Sequence, residues 1–255
     1  MNFLKVAHTD VGIKKKTNQD SVLIREASTD RGQVLLTVVC DGMGGLAKGE
    51  VASSTVINSI SEWFEAEFAD IFYSGIDQNE LRISLENFIY RMNEKIQTYG
   101  KMNRCSMGTT FVLLIIADGK YYIINVGDSR AYRVRDSFDQ LTKDQTYVQR
   151  EIDMGRMTPE EAEKDPQRNV LLQCIGASNY IQPDFYTGDV TPGDCYLLCS
   201  DGFRHVIDPT EFYEQLNPYV ITDESKMKQA LEYFVELNKY RREEDNISAA
   251  LIRTY

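Results

Sequence analysis

Positive charge is in short supply in this chain. Lysine and arginine total 28 against 39 aspartates and glutamates, a formal net charge of -11 over 255 residues. Nucleic acids and anionic membranes reward clustered Lys and Arg, so neither is expected as the principal partner. Histidine occurs only twice, and the five cysteines (40, 105, 174, 195 and 199) include no CxxC pair, which excludes a zinc site of ordinary spacing. An odd number of cysteines in apolar runs reads as buried free thiols in a reducing compartment. Cys195 and Cys199, four apart in an expected strand, share one face and read as a core pair. No apolar run reaches bilayer length, and the N-terminus lacks the apolar segment of a signal peptide. A soluble, cytoplasmic, monomeric protein is therefore expected, and with no low-complexity linker or internal repeat it should form one domain over residues 1–255.

What the chain does have is apolar periodicity that switches between two patterns. Period-2 or continuous apolar stretches predict strands over 2–9, from Ser21 onward, over 33–41, 109–117 and 120–126, over 194–200 and from Ile247 to the end. Helical spacing predicts two long amphipathic helices, one through Val56, Ile60, Trp63 and Phe68, the other through Leu81, Leu85, Phe88, Met92 and Ile96. Two more helices are expected near 209–216 and 223–239. The turns at Asp118-Gly119 and Gly127-Asp128-Ser129 suggest an antiparallel meander of three short strands ending in RAYRVR. The charged stretch 142–176, with a capping box at Thr158-Pro159-Glu160-Glu161, reads as a surface flap. Long helices between groups of strands predict sheets inside and helices outside.

One device recurs along this series. Val38-Val39-Cys40 runs into Asp41-Gly42-Met43-Gly44-Gly45, Asp128 follows Gly127, Cys199-Ser200 runs into Asp201-Gly202, and Asp245-Asn246 precedes the last strand. Each sets a carboxylate at a strand boundary beside a turn residue. Taken alone, DGxGG is equally an ordinary turn. Strand ends far apart in sequence lie close in a packed sheet, so the four acids could meet at one rim. Four such anions repel unless cations accompany them, and hard divalent metals with oxygen ligands suit them.

The succession TDVGIKKKTNQDS, VVCDGMGG, CSMGTTFVLL, VGDSRAY, LTKDQT, PQRNVL, LLCSDGF and EDNISAALI, from Asp10 to Leu251, resembles the metal-dependent serine/threonine protein phosphatases of the PP2C (PPM) type in their compact bacterial form. The resemblance implies an α+β fold, a four-layer α-β-β-α sandwich of two antiparallel sheets with helix pairs outside. It implies that Asp41 bridges two Mg2+ or Mn2+ ions, with the Gly42 carbonyl on one and Asp201 and Asp245 on the other. Asp128 would serve a third ion, shared with Asp201. Asn246 and Asp20 would orient ligands or water from behind, and Lys15 would bind the substrate phosphate. The reaction implied is hydrolysis of phosphoserine and phosphothreonine in proteins by activated water, opposing a bacterial Ser/Thr kinase that is itself a candidate partner. The flap at about 142–176 would neighbour the site.

Three positions depart from the family pattern. Lys15 stands where many members carry arginine, and lysine offers a point charge in place of a bidentate fork; Lys14, Lys15 and Lys16 also fit a solvated loop. Gln19 replaces a glutamate that reaches the second metal in eukaryotic members, and Met43 replaces a histidine proposed there as general acid. Protonation of the leaving alkoxide then falls to bound water. His8 and His205 lie off the catalytic motifs and read as structural, as does Arg130 as an ion-pair partner. Thr109 and Thr110 read as packing and hydrogen-bonding residues near the site. Cys199 lacks the glycine-rich phosphate loop of a cysteine phosphatase. Two other functions remain open, a phosphoprotein-binding adaptor of the same fold and a hydrolase of small phosphate esters.

Overall fold

The computed structural model describes residues 1–44 and 48–255, so Gly45 of the first glycine-rich turn lies outside the described residues. The chain opens with β1 (Phe3–Asp10), β2 (Ser21–Thr29) and β3 (Gly32–Cys40), then the two-residue β4 (Gly42–Met43). Helices α1 (Gly49–Glu65), α2 (Glu67–Ser74) and α3 (Gln78–Asn103) follow. Next come β5 (Gly108–Thr109), β6 (Phe111–Ala117), β7 (Lys120–Val126), β8 (Arg130–Val134) and β9 (Phe138–Gln140). The flap carries α4 (Tyr147–Asp153) and α5 (Pro159–Ala162), and β10 (Asp184–Asp189) and β11 (Cys195–Cys199) lead into α6 (Asp201–Arg204). The chain closes with α7 (Pro209–Leu216), α8 (Glu224–Tyr240) and β12 (Ile247–Thr254).

Two antiparallel five-stranded sheets form, ordered β1-β12-β11-β8-β9 and β10-β7-β6-β3-β2, with β4 and β5 as a separate ribbon. The period of two decides what each face meets. In β3, Leu36, Val38 and Cys40 join the cluster under α1, α2 and α3, whereas Leu35 and Val39 point between the sheets. That middle layer also takes Val112, Leu114 and Ile123 from one sheet and Tyr196, Leu198, Ala250 and Ile252 from the other. Cys195, Leu197, Cys199, Ala249 and Leu251 face the opposite way, onto Phe203, Phe212, Met227, Leu231 and Phe234 of the second helix layer. Each fully buried Leu, Ile or Phe in these layers contributes about 1.5–3 kcal/mol. The α+β sandwich is therefore the observed fold, and Cys195 and Cys199 do share a core face.

Three details differ from the sequence reading. The first amphipathic stripe is broken at Ala66 into α1 and α2, and the break lets Phe68 and Phe72 keep facing the core. The 109–134 region is no single meander, because β7 lies in one sheet and β8 in the other. Gly127 makes that exit possible: its φ of 104° suits glycine, and a Cβ there would stand 2.7 Å from the Thr110 side chain. Finally β9, β10 and the β4/β5 ribbon were not read from sequence, being short or only partly buried. The flap is tied at its base by pairing of Thr146 with Leu171, with Tyr147 N–H on Val170 O at 2.8 Å and Leu172 N–H on Gln145 O at 2.8 Å. Its capping box at Thr158 and Glu161 forms as expected.

Candidate metal centre

Strand register brings the acids together. Ser21 pairs with Cys40, which sets Asp20 across from Asp41 at the end of the β2–β3 hairpin. Cys199 pairs with Ala249 on one side and Arg130 on the other, so the residues just past β11 and just before β12 and β8 share one rim. Asp201 stands there as the first residue of α6, Asp245 two residues ahead of β12, and Asp128 in the turn between the sheets. Asp41, Gly42, Asp128, Asp201 and Asp245 line one cavity of about 740 Å³, together with Lys15, Gln19 and flap residues such as Asn169 and Leu172. A larger groove of about 1260 Å³, lined by Lys14, Arg168 and Phe212 among others, adjoins it and shares Lys15, Asp128 and Asp245.

The backbone around Asp41 is fixed by neighbouring hydroxyls. Thr110 Oγ1 accepts the Asp41 N–H at 2.9 Å, and Thr109 Oγ1 and the Thr110 N–H donate to the Asp41 carbonyl at 3.0 and 2.8 Å. Thr110 and Ser129 hydroxyls pair at 2.7 Å, tying this end of β3 to the Asp128 turn. Gly42 is required sterically, since a Cβ would stand 2.3 Å from Gly49 O and 2.5 Å from Gln19 O. Its N–H donates to Gln19 O at 3.2 Å. Thr109 and Thr110 thus act as read from the sequence.

Asp20 and Asn246 sit behind the cavity. Asp20 is buried and accepts the Ser200 hydroxyl at 2.9 Å on Oδ2, while Oδ1 is buried without a partner among the described residues. Asn246 Oδ1 accepts the Gln19 N–H at 2.9 Å, and Nδ2 donates to Val11 O at 3.0 Å and Thr17 O at 3.3 Å, so one side chain organises the 11–19 loop. Gln19 Nε2 reaches Glu50 Oε2 at 3.3 Å. Two lysines of the basic run are paired, Lys14 with Glu244 and Lys15 with Asp245 at 2.9 Å.

Electrostatics mark the rim as unfinished. Burial pushes Asp20 up to about 7, with Asp201 and Asp245 adding repulsion against the Ser200 hydrogen bond. Burial likewise pushes Asp128 up to about 7, Asp201 adding to it and Arg204 opposing. Asp41 is held well above the usual carboxylate range by burial and then by Asp20, Asp201, Asp128 and Asp245. Lys15 is displaced upward because Asp245, Asp41 and Asp201 overcome the burial that opposes its charge. Asp201 Oδ1 is buried with no hydrogen-bond partner among the described residues. Oxygen donors, unrelieved repulsion and an orphaned carboxylate oxygen fit a hard divalent cation. Among the described residues no three Asp, Glu, His or Cys side chains form a finished ligand cage, and Asp245 is paired to Lys15.

Two side chains beside the acids were missed. Arg204 is largely buried, donates to Asp128 O at 3.1 Å and approaches Asp144 at 3.4 Å. His205, read as structural and off the catalytic motifs, is 3.5 Å from Asp201 Oδ2 through Nε2. The available signal was spacing, three and four residues after Asp201 on a helical turn. His8 stays in β1, opposite Ala249. Arg130 is the expected ion-pair partner, gripping Asp144 with two bonds of 2.7 Å. Burial pushes the Cys199 thiol up to about 12, which suits a core residue and not a nucleophile.

Comparison with known proteins bears on the same rim. Residues 11–237 match the family model described as Protein phosphatase 2C. The chain is 32% identical over 247 residues to the protein phosphatase PhpP of Streptococcus pneumoniae, covering 96% of this chain and 94% of that one. The serine/threonine phosphatase of S. agalactiae superposes with a TM-score of 0.85 at 29% identity, covering both chains completely. The catalytic domain of the serine threonine protein phosphatase PstP, solved in complex with 2 manganese ions, superposes with a TM-score of 0.78 at 29% identity over 98% of this chain and 97% of that one.

Proposed function

Because the chain belongs to the protein phosphatase 2C family, we propose that it hydrolyses phosphoserine and phosphothreonine in proteins at a centre of two Mn2+ or Mg2+ ions, with room for a third. The observation that carries this reading is the rim itself, where four acids from four separate chain segments line one cavity with Asp201 Oδ1 orphaned. Asp41 and the Gly42 carbonyl would hold one ion, Asp41, Asp201 and Asp245 the other, and Asp128 with Asp201 the third. A relative that carries two manganese ions on the same fold supports the count. Such ions supply positive charge against a phosphate dianion and make hydroxide available near neutral pH.

The chain's own residues set the stage for that chemistry. Thr109 and Thr110 keep the Asp41 backbone from shifting, and Asn246 holds the 11–19 loop against the rim. Lys15 reaches the cavity and offers a cation to the substrate phosphate once its pairing with Asp245 is exchanged for that contact. Asp20 stays behind the ligands, anchored by Ser200, and orients the rim without lining it. Met43 has no proton to give, so the leaving alkoxide is not protonated by the side chain at that position. The flap, residues within about 142–176 of a single domain spanning 1–255, contributes the outer wall and a place for substrate choice. The partners are phosphorylated proteins, including substrates of a Ser/Thr kinase and the kinase itself.

The test is phosphate release by EDTA-stripped protein before and after addition of Mn2+, on an aryl phosphate and on a phosphothreonine peptide. Turnover of both, dependent on Mn2+, is expected. Folded, Mn2+-loaded protein that turns over neither would leave an adaptor, and turnover of the aryl phosphate alone would leave a hydrolase of small esters.

A further inference from the structure

Two side chains pressed against the rim have no part in the chemistry above. His205 caps the single turn of α6, its N–H donating to Asp201 O at 3.1 Å, and its ring lies between two carboxylates. Nε2 is 3.5 Å from Asp201 Oδ2 and Nδ1 is 3.5 Å from Glu243 Oε2. Glu243 is buried, and its other oxygen, Oε1, accepts the N–H of Glu244 at 2.8 Å and of Asp245 at 3.0 Å. That carboxylate therefore shapes the turn on which Asp245 is carried.

The surrounding backbone leaves this arrangement little freedom. Arg242 takes a φ of 63° as α8 ends, and the Glu243 N–H returns to Asn238 O at 3.0 Å. Asn238 Nδ2 in turn donates to Phe203 O at 2.9 Å, so the end of α8 is locked to α6 independently of the imidazole. Asp201 comes from the end of β11 and Asp245 from the approach to β12, and the side-chain path joining them is Asp201, His205, Glu243 and the Asp245 backbone. Oδ2 of Asp201 faces the His205 ring at 3.5 Å, while Oδ1 is buried without a partner among the described residues.

We propose that His205 and Glu243 act as one strut that sets the spacing and orientation of Asp201 and Asp245, making both positioning residues for the metal centre. The inference rests on the metal reading above. A metal site gains affinity when its carboxylates are held before the ion arrives, and losing such an outer partner costs about 10–100-fold. Because the two residues act in series, removing either should disable the strut, and removing both should cost little more.

The experiment is calorimetric titration of Mn2+ into the EDTA-stripped full chain, with metal-free melting temperature recorded alongside. His205→Ala and Glu243→Ala should each weaken Mn2+ binding by about tenfold or more, and the double variant by no more than about twofold beyond the worse single. Glu243→Gln keeps an oxygen for the Glu244 and Asp245 N–H groups and an amide for the ring, and should recover most of the affinity. It also serves where Glu243→Ala lowers the metal-free melting temperature enough to obscure the titration, as His205→Gln does for the imidazole. Mn2+ affinity unchanged in folded variants, or losses that simply add, would overturn the strut while leaving the metal reading intact. A wild-type chain that binds no Mn2+ would overturn the metal reading and the strut with it.

Discussion

Two buried charge clusters lie side by side in this protein and differ in one respect. In the first, Arg130 grips Asp144 through two bonds of 2.7 Å, and Arg204 approaches the same carboxylate at 3.4 Å while donating to Asp128 O. Cations of the protein itself neutralise that cluster, although Arg204 Nε is buried without a hydrogen-bond partner among the described residues. In the second, Asp20, Asp41, Asp128, Asp201 and Asp245 crowd together with Lys15 paired to Asp245, and oxygens of Asp20 and Asp201 are buried unpartnered. A satisfied cluster holds a fold together, whereas an unsatisfied one is tolerated when a ligand completes it.

The contrast predicts opposite consequences for losing one acid from each. The largest effect is on activity: Asp201→Asn should lower turnover by about a hundredfold or more, since the ion Asp201 is proposed to hold would carry away with it the positive charge that faces the phosphate. Circular dichroism should find the variant folded, and full turnover would break the distinction between the clusters. Asp144→Ala should instead destabilise, by about 3 kcal/mol, because it leaves two arginines buried without their anion. At roughly 2–4 °C per kcal/mol for a chain of this size, calorimetry reads that as a clear fall in melting temperature. An unchanged melting temperature would mean the completed cluster holds nothing.

Smaller effects sharpen the same boundary. Lys15→Ala should chiefly raise KM, by about tenfold for loss of one charge-assisted contact, with kcat moved less; an unchanged KM would return the lysines to a solvated loop. For the metal-free chain, pH supplies the gentlest probe. Asp20 and Asp128 go from an ordinary 3.8 when unfolded to about 7 when folded. Between those values the folded state binds more protons than the unfolded one, so this contribution to stability is full below about pH 4 and is lost as pH rises through about 7. The metal-free melting temperature should therefore be higher at pH 6 than at pH 8, and saturation with Mn2+ should abolish that advantage. A metal-free value that is flat or reversed would show that the acids do not strain the fold.

Much of this was legible from the sequence because the signals were local. Apolar runs stopping at Asp41 and Asp201 marked strand ends, and the strands read from Ser21 onward and over 33–41 pair as an antiparallel hairpin that sets Asp20 near Asp41. Helices α7 and α8 fell where spacing put them. The exchange of sheets at Gly127 was not legible, since nothing in the sequence of β7 or β8 says which neighbour it pairs with. The placement of His205 and Arg204 was obscured for a related reason. Their partners Glu243 and Asp144 are remote in sequence, and only the packing of α8 and the flap base brings them near. A carboxylate at a strand end advertises itself, whereas what stands behind it is a tertiary matter.

The central claim is that the rim is strained by its own charge and completed by divalent ions. Asp41→Asn tests it most directly, since Asp41 is the acid most of the others press upon. Differential scanning calorimetry at pH 7.5, with EDTA and then with saturating Mn2+, gives both halves of the answer. The account predicts that the variant melts higher than wild type without metal and gains far less than wild type when Mn2+ is added. A variant that melts lower without metal, or that gains as much from Mn2+ as wild type, would contradict it.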